Sequence, residues 1–135
     1  MLTSEIKIRV RYGETDQMGY VYYGNYAQYY EVGRVETIRK LGFSYKEIEA
    51  RGIHLPVLEY HINYKKPALY DEELTIITTV KELPSVRLTF HYECYNEKKE
   101  LLNTGFVTLV FVDKEKGKPT IPPDWFMDEA EKYFN

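Results

Sequence analysis

The sequence is short of cysteine, of turn-forming low-complexity segments and of net charge. Its single cysteine excludes an internal disulfide framework and a multi-cysteine metal site. Six prolines and eight glycines among 135 residues are too few for a collagenous or low-complexity chain. The scarcity of cysteine also fits a reducing compartment, and we expect a cytoplasmic protein.

Long apolar runs are missing as well. The longest mostly apolar run, from Phe106 to Val112, has seven residues, whereas a bilayer span takes about 20. The N-terminus has no basic region followed by an apolar run, so no secretory signal is expected. The net charge of −3 argues against a nucleic-acid partner, because such a domain needs a basic surface. A small anionic ligand stays compatible, since a few local cations suffice for it.

The composition is otherwise globular, with an excess of tyrosine. Hydrophobic residues make up 44 % of the chain and charged residues 29 %, and the length fits a single domain over residues 1–135. Six of the 14 tyrosines fall within eleven residues: Tyr20, Tyr22, Tyr23, Tyr26, Tyr29 and Tyr30. We expect Tyr30 in the core. Tyr20, Tyr22 and Tyr26 are expected to line a ligand pocket or to pack at a subunit interface, where tyrosine is enriched.

The N-terminal third predicts a strand, a loop and a long helix. Residues 5–12 alternate polar and apolar side chains, which is typical of a half-buried strand. Residues 13–24, here called the helix-entry loop, contain three glycines. An apolar stripe at helical spacing then predicts a helix of about 16 residues from near Tyr23 to Leu41, and Gly42 follows as a stop signal.

The rest of the chain predicts a short helix, four strands and a last helix. Ser44 and Glu47 form a capping box for a helix that ends by Arg51. The last helix is expected from Pro123 or Asp124 to Tyr133. Alternating or β-branched segments predict strands at residues 57–65, 74–80, 86–94 and 105–112. The last of these is nearly all apolar, as expected for a central strand covered on both faces.

This order of elements predicts an α+β fold, a five-stranded antiparallel sheet with one long helix against a face. The uncovered face of the sheet, or its edge, is a candidate for self-association.

The helix-entry loop concentrates the features that carry chemistry. It holds two carboxylates, Glu14 and Asp16, and it leads into the N-terminus of the long helix. A helix N-terminus presents unpaired N–H groups that can bind a developing oxyanion, and Gly24 lets a ligand approach the backbone closely. A carboxylate beside such a site is the minimum requirement for acyl transfer. The pattern alone equally allows a solvated turn in which Asp16 is a local turn residue.

Two segments of the chain carry a resemblance to a known family. The first is Thr15-Asp16-x-x-Gly19-x-Val21-Tyr22-Tyr23-x-Asn25-Tyr26, followed by Tyr29-Tyr30-Glu31-x-Gly33-Arg34. The second and weaker segment is Lys66-Pro67-Ala68-x-Tyr70-Asp71. Both resemble the hotdog-fold acyl-CoA thioesterases, in particular the 4-hydroxybenzoyl-CoA thioesterase family with the acyl-CoA thioesterases associated with the Tol–Pal system. The resemblance spans about residues 3–113, and the hotdog fold it implies agrees with the order of elements.

The resemblance implies roles for two residues. Asp16 matches the family's catalytic aspartate, which acts as nucleophile or general base on the thioester carbonyl. Tyr23 matches the position whose backbone N–H polarises that carbonyl. The Tol–Pal-associated members usually have histidine there, whereas this chain has tyrosine, as in the 4-hydroxybenzoyl-CoA members. The departure keeps the backbone role and removes any imidazole role.

The implied activity is hydrolysis of a small or medium acyl- or aryl-CoA to the acid and free coenzyme A. The resemblance also implies a homodimer or homotetramer, and no metal or redox cofactor beyond the coenzyme A of the substrate. Tyr22, Gly24 and Asn25 are expected to shape the pocket. Cations at strand ends or polar faces are expected to serve the coenzyme A phosphates: Lys65, Lys66 and Arg87.

Other candidate residues favour structural roles. Glu31 and Arg34 have the spacing of an ion pair that fixes the helix or a subunit contact. Cys94 lies on the apolar face of its strand and predicts a buried, inert thiol. His54, His61 and His91 are far apart and have no metal-site spacing.

Three alternative functions stay open. The first is a non-catalytic hotdog protein that binds acyl-CoA without turnover. The second is a hotdog hydratase or dehydratase, although no histidine lies in the helix-entry loop. The third is a structural partner in an envelope or lipid-synthesis complex.

Overall fold

A computed structural model describes residues 1–134 of the chain. The strands are β1 Leu2–Arg9, β2 Ile53–His54, β3 Val57–Tyr64, β4 Glu73–Val80, β5 Arg87–Tyr95, β6 Leu101–Val110, β7 Val112–Asp113 and β8 Lys118–Pro119. The main sheet has five antiparallel strands in the order β1-β4-β5-β6-β3. A smaller sheet joins three two-residue strands in the order β2-β7-β8.

The long helix α1, Asn25–Lys40, packs against β1 and β4 and covers one face of the main sheet. Its 16 residues confirm the predicted helix. The short helix α2, Tyr45–Ala50, begins after Ser44, whose hydroxyl accepts a hydrogen bond from the Glu47 N–H at 3.1 Å, as the capping box predicts. The last helix α3, Asp124–Ala130, continues into a 3₁₀ turn at Glu131–Tyr133. Within residues 1–134, no helix has the length and apolarity needed to cross a bilayer.

The core lies between α1 and the inward side chains of the sheet. Tyr30 is buried there, as predicted, and its ring stacks on the Tyr92 ring with centroids 4.2 Å apart. Alternate residues of the central strands complete this layer: Leu74, Ile76, Leu88, Phe90, Cys94, Val107 and Leu109. The sheet is thus apolar on its helix side, as expected for an α+β layer.

The prediction that residues 105–112 are covered on both faces is wrong. The strand is β6, which begins at Leu101, and on its outer face Thr108 is buried but Thr104 and Phe106 are partly exposed. On the outer face, which no element covers within residues 1–134, Phe106 stacks with His61 at 5.5 Å and contacts His91 at 6.2 Å between ring centroids. The apolar run predicted a covered strand, but the Phe106 ring packs between two imidazole rings of neighbouring strands and not against a second layer of structure.

Helix and sheet approach each other closely at Gly33. A Cβ at this position would lie 2.5 Å from Thr78 Oγ1 and 3.3 Å from Ile76 Cγ2, both on β4. Any side chain would therefore push α1 away from the sheet, and this explains why a glycine stands in an otherwise helix-favouring segment.

We expect Gly33→Ala to lower the free energy of unfolding by about 1–3 kcal/mol, because the added methyl overpacks the buried contact with Thr78. Urea unfolding followed by circular dichroism measures the change. Gly13→Ala is the control, since a Cβ at Gly13 meets no atom within 4 Å. Equal unfolding midpoints for the Gly33→Ala variant and the wild type would contradict the close-packing account.

Candidate active site

The helix-entry loop folds back on itself around Asp16. The Asp16 N–H donates to the Tyr20 carbonyl at 2.8 Å, and the Gly19 N–H donates to the Asp16 carbonyl at 3.0 Å. Gly19 has φ +80°, a left-handed conformation that favours glycine. The Asp16 Oδ1 accepts from the Met18 N–H at 2.9 Å and from the Tyr20 N–H at 3.2 Å. Asp16 is therefore a turn residue.

The second carboxylate oxygen of Asp16 is not used by the turn. Within residues 1–134, Oδ2 has no hydrogen-bond partner, and the side chain is partly exposed. One oxygen therefore holds the loop while the other is available to a ligand. The turn role and the catalytic role that the sequence left as alternatives are compatible.

The entrance of α1 is open on its N-terminal side. Gly24 occupies the N-cap position and provides no side-chain cap. The Asn25 N–H donates to the Tyr22 carbonyl at 2.9 Å and the Tyr26 N–H to the Tyr23 carbonyl at 3.3 Å. The N–H groups of Tyr23 and Gly24 have no acceptor in the part of the chain that the structure describes. They remain available to an anion at the positive end of the helix dipole.

The two segments that carry the family resemblance lie side by side. The Val21 N–H donates to the Ala68 carbonyl at 2.9 Å, and Tyr20 forms a bridge with Leu69. The Ala68 N–H donates to the Tyr26 hydroxyl at 3.3 Å. Burial raises the pKa of Tyr26 to about 12, so its hydroxyl is neutral at physiological pH and can accept this bond. The segment after β3 thus forms one wall of the site.

A cavity of about 330 Å³ lies between these segments and the start of α1. Asp16 and Tyr23 both line it, and most of the other lining residues are aromatic or apolar. Lys65 and Lys66 are its two basic lining residues. The other lining residues are Met18, Tyr20, Val21, Tyr26, Tyr64 and Pro67. An apolar pocket with a few polar groups that converge is the usual form of a small-ligand site.

The predicted coenzyme A cations separate into two groups. Lys65 and Lys66 lie at the cavity, where the Lys66 Nζ also contacts the Glu100 Oε2 at 2.5 Å. Arg87 lies elsewhere, on the outer face of the sheet beside Glu59 and Glu82. The structure therefore does not bring Arg87 to Asp16 within this chain, because β5 presents Arg87 on the side of the sheet opposite to α1.

Tyr22, Gly24 and Asn25, which were expected to shape the pocket, are not among the residues that line the cavity. Tyr22 and Gly24 are exposed next to Tyr23. The Asn25 Nδ2 donates to the Glu14 carbonyl at 2.8 Å, and so Asn25 holds the loop to the helix. Their roles toward a substrate stay predictions.

Sequence reasoning missed the function of Glu14, the other carboxylate of the loop. Glu14 is buried, and its carboxylate accepts from the Arg11 backbone N–H at 2.8 Å and from the Arg11 guanidinium at 2.6 Å. It also accepts from the Tyr29 hydroxyl at 2.8 Å. Burial opposes ionisation of Glu14, but the bonds from Arg11 and Tyr29 outweigh it, and the pKa of Glu14 is lowered. The i, i+3 spacing of Arg11 and Glu14 was the available signal.

The remaining candidates have structural surroundings. Arg34 has a side chain only 14 % exposed, lies 3.9 Å from the Glu31 carboxylate and donates to the Tyr45 hydroxyl at 3.2 Å. Glu31 itself is exposed. Burial raises the pKa of Cys94 to about 12, as expected for an inert thiol. Among residues 1–134, no three His, Cys, Asp or Glu side chains are grouped to hold a metal.

Fold and site together define a class. A five-stranded antiparallel sheet packed against one long helix is the arrangement of the hotdog fold, and the helix entrance faces the cavity described above. The thioesterase-like superfamily matches residues 10–129 of the chain. The chain therefore belongs to this family and groups with its acyl-CoA thioesterases.

Three relatives illustrate the grouping. The chain is 40 % identical over 129 residues to YneP of Bacillus subtilis, a provisionally named acyl-CoA thioesterase, with 93 % of this chain and 94 % of YneP covered. It is 34 % identical over 116 residues to the acyl-CoA thioester hydrolase YbgC of Escherichia coli, covering 86 % and 87 % of the two chains. The DHNA-CoA thioesterase structure from Staphylococcus aureus matches with a TM-score of 0.90, 41 % identity and coverage of 98 % and 89 %.

The lowered pKa of Glu14 predicts a pH dependence of stability. A carboxylate whose pKa is lower in the folded state stabilises the protein above its unfolded pKa of about 4.3, and the contribution is lost as the pH falls through the folded pKa. The stability gap between the wild type and Glu14→Gln should therefore be largest above pH of about 5 and shrink at lower pH.

Urea unfolding at a series of pH values measures this gap. Glu115→Gln is the control, because Glu115 is exposed and its carboxylate has no partner in the described chain. A gap between the wild type and Glu14→Gln that stays constant from pH 7 to pH 3 would show that the ionised form of Glu14 does not contribute.

Proposed function

We propose that the protein hydrolyses a small or medium acyl- or aryl-CoA thioester to the free acid and coenzyme A. One observation carries the proposal: Asp16 and Tyr23 line the same cavity, and within residues 1–134 neither the Asp16 Oδ2 nor the Tyr23 N–H has a hydrogen-bond partner. One group supplies negative charge for attack and the other stabilises negative charge on oxygen. Thioester hydrolysis needs both at once.

In the proposed reaction, the thioester oxygen accepts a hydrogen bond from the Tyr23 N–H at the positive end of α1. As nucleophile, the Asp16 Oδ2 bonds to the carbonyl carbon, the C–S bond breaks, and coenzyme A leaves as the thiolate. Water then hydrolyses the resulting mixed anhydride. As general base, Asp16 instead takes a proton from water while the water oxygen bonds to the same carbon. The C–S bond then breaks, and coenzyme A leaves as the thiolate, which takes the proton from Asp16 or from solvent. Both routes use the same two groups of this chain.

The size and lining of the cavity support the substrate class. A volume of about 330 Å³ is at the lower end for ligand pockets and suits the acyl or aryl end of a thioester. Tyr20, Tyr26 and Tyr64 offer aromatic walls there. The coenzyme A portion then extends past the rim, where Lys65 and Lys66 can meet its phosphates. The aromatic acyl group named for the Staphylococcus aureus relative is consistent with this pocket.

We expect Asp16→Asn to lower kcat at least about 10²-fold, because an amide can neither attack the carbonyl nor take a proton. Asn keeps an oxygen that can accept from Met18 and Tyr20, so the loop should keep its fold. Release of the coenzyme A thiol from a panel of aryl-, short-chain and long-chain acyl-CoA substrates measures the effect.

Asp113→Asn is the matched control. The Asp113 Oδ1 likewise holds a turn, accepting from the Glu115 and Lys116 N–H groups at 3.0 Å, but Asp113 does not line the cavity. Turnover that is unaffected by Asp16→Asn would overturn the mechanism. Tight binding of acyl-CoA without turnover by the wild type would indicate the non-catalytic alternative instead.

We further propose that the protein is a homodimer that pairs along β3. This strand is at the edge of the sheet, and seven of its eight residues are exposed. Its exposed side chains include Val57, Leu58, Tyr60 and Tyr64. A long apolar edge strand left unpaired would promote aggregation, whereas pairing with a second copy satisfies its backbone and covers these side chains. A homotetramer and the cytoplasmic location stay predictions.

We expect Leu58→Lys to shift the protein toward the monomer, because a charge at a paired edge would be buried in the interface. Sedimentation equilibrium over a range of protein concentrations measures the shift. Ile121→Lys is the control, since Ile121 is an exposed apolar residue outside β3. A wild-type protein that sediments as a monomer at all concentrations would rule out the dimer.

A further inference from the structure

The Glu14 carboxylate is the most fully bonded acidic group of the helix-entry loop. Its Oε1 accepts from the Arg11 backbone N–H and from the Tyr29 hydroxyl, both at 2.8 Å. Its Oε2 accepts from the Arg11 guanidinium at 3.0 Å to Nε and 2.6 Å to Nη2. The carboxylate thus ties the end of the first strand region to the second turn of α1. Such charge-assisted bonds are about twice as strong as neutral ones.

The backbone of the same residue holds the entrance of α1. The Glu14 carbonyl accepts from the Tyr22 N–H at 2.9 Å and from the Asn25 Nδ2 at 2.8 Å. Tyr22 directly precedes Tyr23, whose N–H is the proposed oxyanion donor. Asp16 follows Glu14 by two residues. Glu14 is therefore bonded to the helix entrance on one side and to the Asp16 turn through the chain on the other.

We propose that Glu14, held by Arg11 and Tyr29, is a positioning residue that sets the Asp16 carboxylate relative to the Tyr23 N–H. Glu14 itself is buried and does not line the cavity, so it does not touch substrate. The turn around Asp16 is held by its own hydrogen bonds and by the Thr15–Val21 and Tyr20–Leu69 bridges. The Glu14 contacts fix this turn to α1, and so they set where the Asp16 carboxylate lies relative to the helix entrance.

This inference rests on the proposed thioesterase mechanism, because positioning matters only if Asp16 and the Tyr23 N–H act on one carbonyl group. Attack requires reacting atoms about 3–3.5 Å apart, and a displacement of about 1 Å can cost about 10²-fold in rate. Loss of one contact to Glu14 should therefore lower kcat while leaving KM nearly unchanged, since the lysines and the apolar walls of the cavity are not altered.

Tyr29→Phe is the most selective variant, because it removes only the hydroxyl that donates to Glu14. We expect kcat to fall about 10-fold, with KM within about twofold of the wild type. Tyr30→Phe is the matched control. Tyr30 is the next residue of α1, it is equally buried, and its hydroxyl donates to the Asn103 side chain instead of to the loop. Tyr30→Phe should lower the melting temperature and keep kcat within about twofold.

A double-mutant cycle separates positioning from general destabilisation. If Tyr29 acts through Asp16, then adding Tyr29→Phe to Asp16→Asn lowers kcat no further than Asp16→Asn alone. A conservative series adds a second readout: Glu14→Gln keeps an Oε1 acceptor and should retain more kcat than Glu14→Ala. Hydrogen exchange of the amides of residues 14–25 should accelerate in Tyr29→Phe and not in Tyr30→Phe.

The outcomes distinguish the two proposals. Full turnover by Asp16→Asn overturns the proposed mechanism, and the positioning role falls with it. An inactive Asp16→Asn combined with wild-type kcat in Tyr29→Phe overturns the positioning role alone. Additive losses in the double variant, or an equal fall of kcat in Tyr30→Phe, would also overturn it, because either result points to general destabilisation.

Discussion

The close packing of α1 on β4 at Gly33 is the constraint on which the rest of the molecule depends. Gly33 has no Cβ, and a Cβ at this position would overlap Thr78. The glycine therefore lets the helix lie closer to the sheet than a residue with a side chain would allow. This contact sets the height of α1 above the sheet. The height in turn decides that Tyr30 stacks on Tyr92, and that the helix entrance reaches the segment around Ala68. A site between helix and sheet exists because the two are held this near.

Local signals in the sequence were sufficient for most of the fold. Helix α1, the Ser44 cap and the four later strands follow from periodicity and turn residues. The strand order does not follow from these local signals, because β3 pairs with β6 at the edge of the sheet and not with β4, the next long strand in the chain. The failures concern what covers a strand. The apolar run of β6 does not reveal that Phe106 lies between two histidines on an uncovered face. Nor does a cation at a strand position reveal its side of the sheet. Within one chain the fold separates Arg87 from Lys65 and Lys66, and the role of Arg87 toward coenzyme A stays a prediction.

The candidate site shows the same division between local and distant information. Asp16 was identifiable because a short motif contains both the residue and its glycine-rich turn, and the resemblance attached a role to it. Glu14 stands in the same helix-entry loop, yet its partner Tyr29 is 15 residues away and meets it only once α1 is docked. A single sequence contains the Arg11 spacing but not the contact with Tyr29. Residues that act through another residue are therefore harder to predict than residues that act directly.

Asp16 also shows how one side chain can satisfy both a structural and a chemical requirement. Its Oδ1 is held by two backbone N–H groups, which orient the carboxylate. Within residues 1–134, that orientation leaves Oδ2 without a partner beside a cavity whose walls are largely aromatic or apolar. A carboxylate free to rotate would lose conformational entropy on reaching the carbonyl, whereas this one is already restrained by its turn. In the proposed reaction, the turn that seemed an alternative to catalysis is thus the means by which a surface loop presents a nucleophile or base in a defined direction.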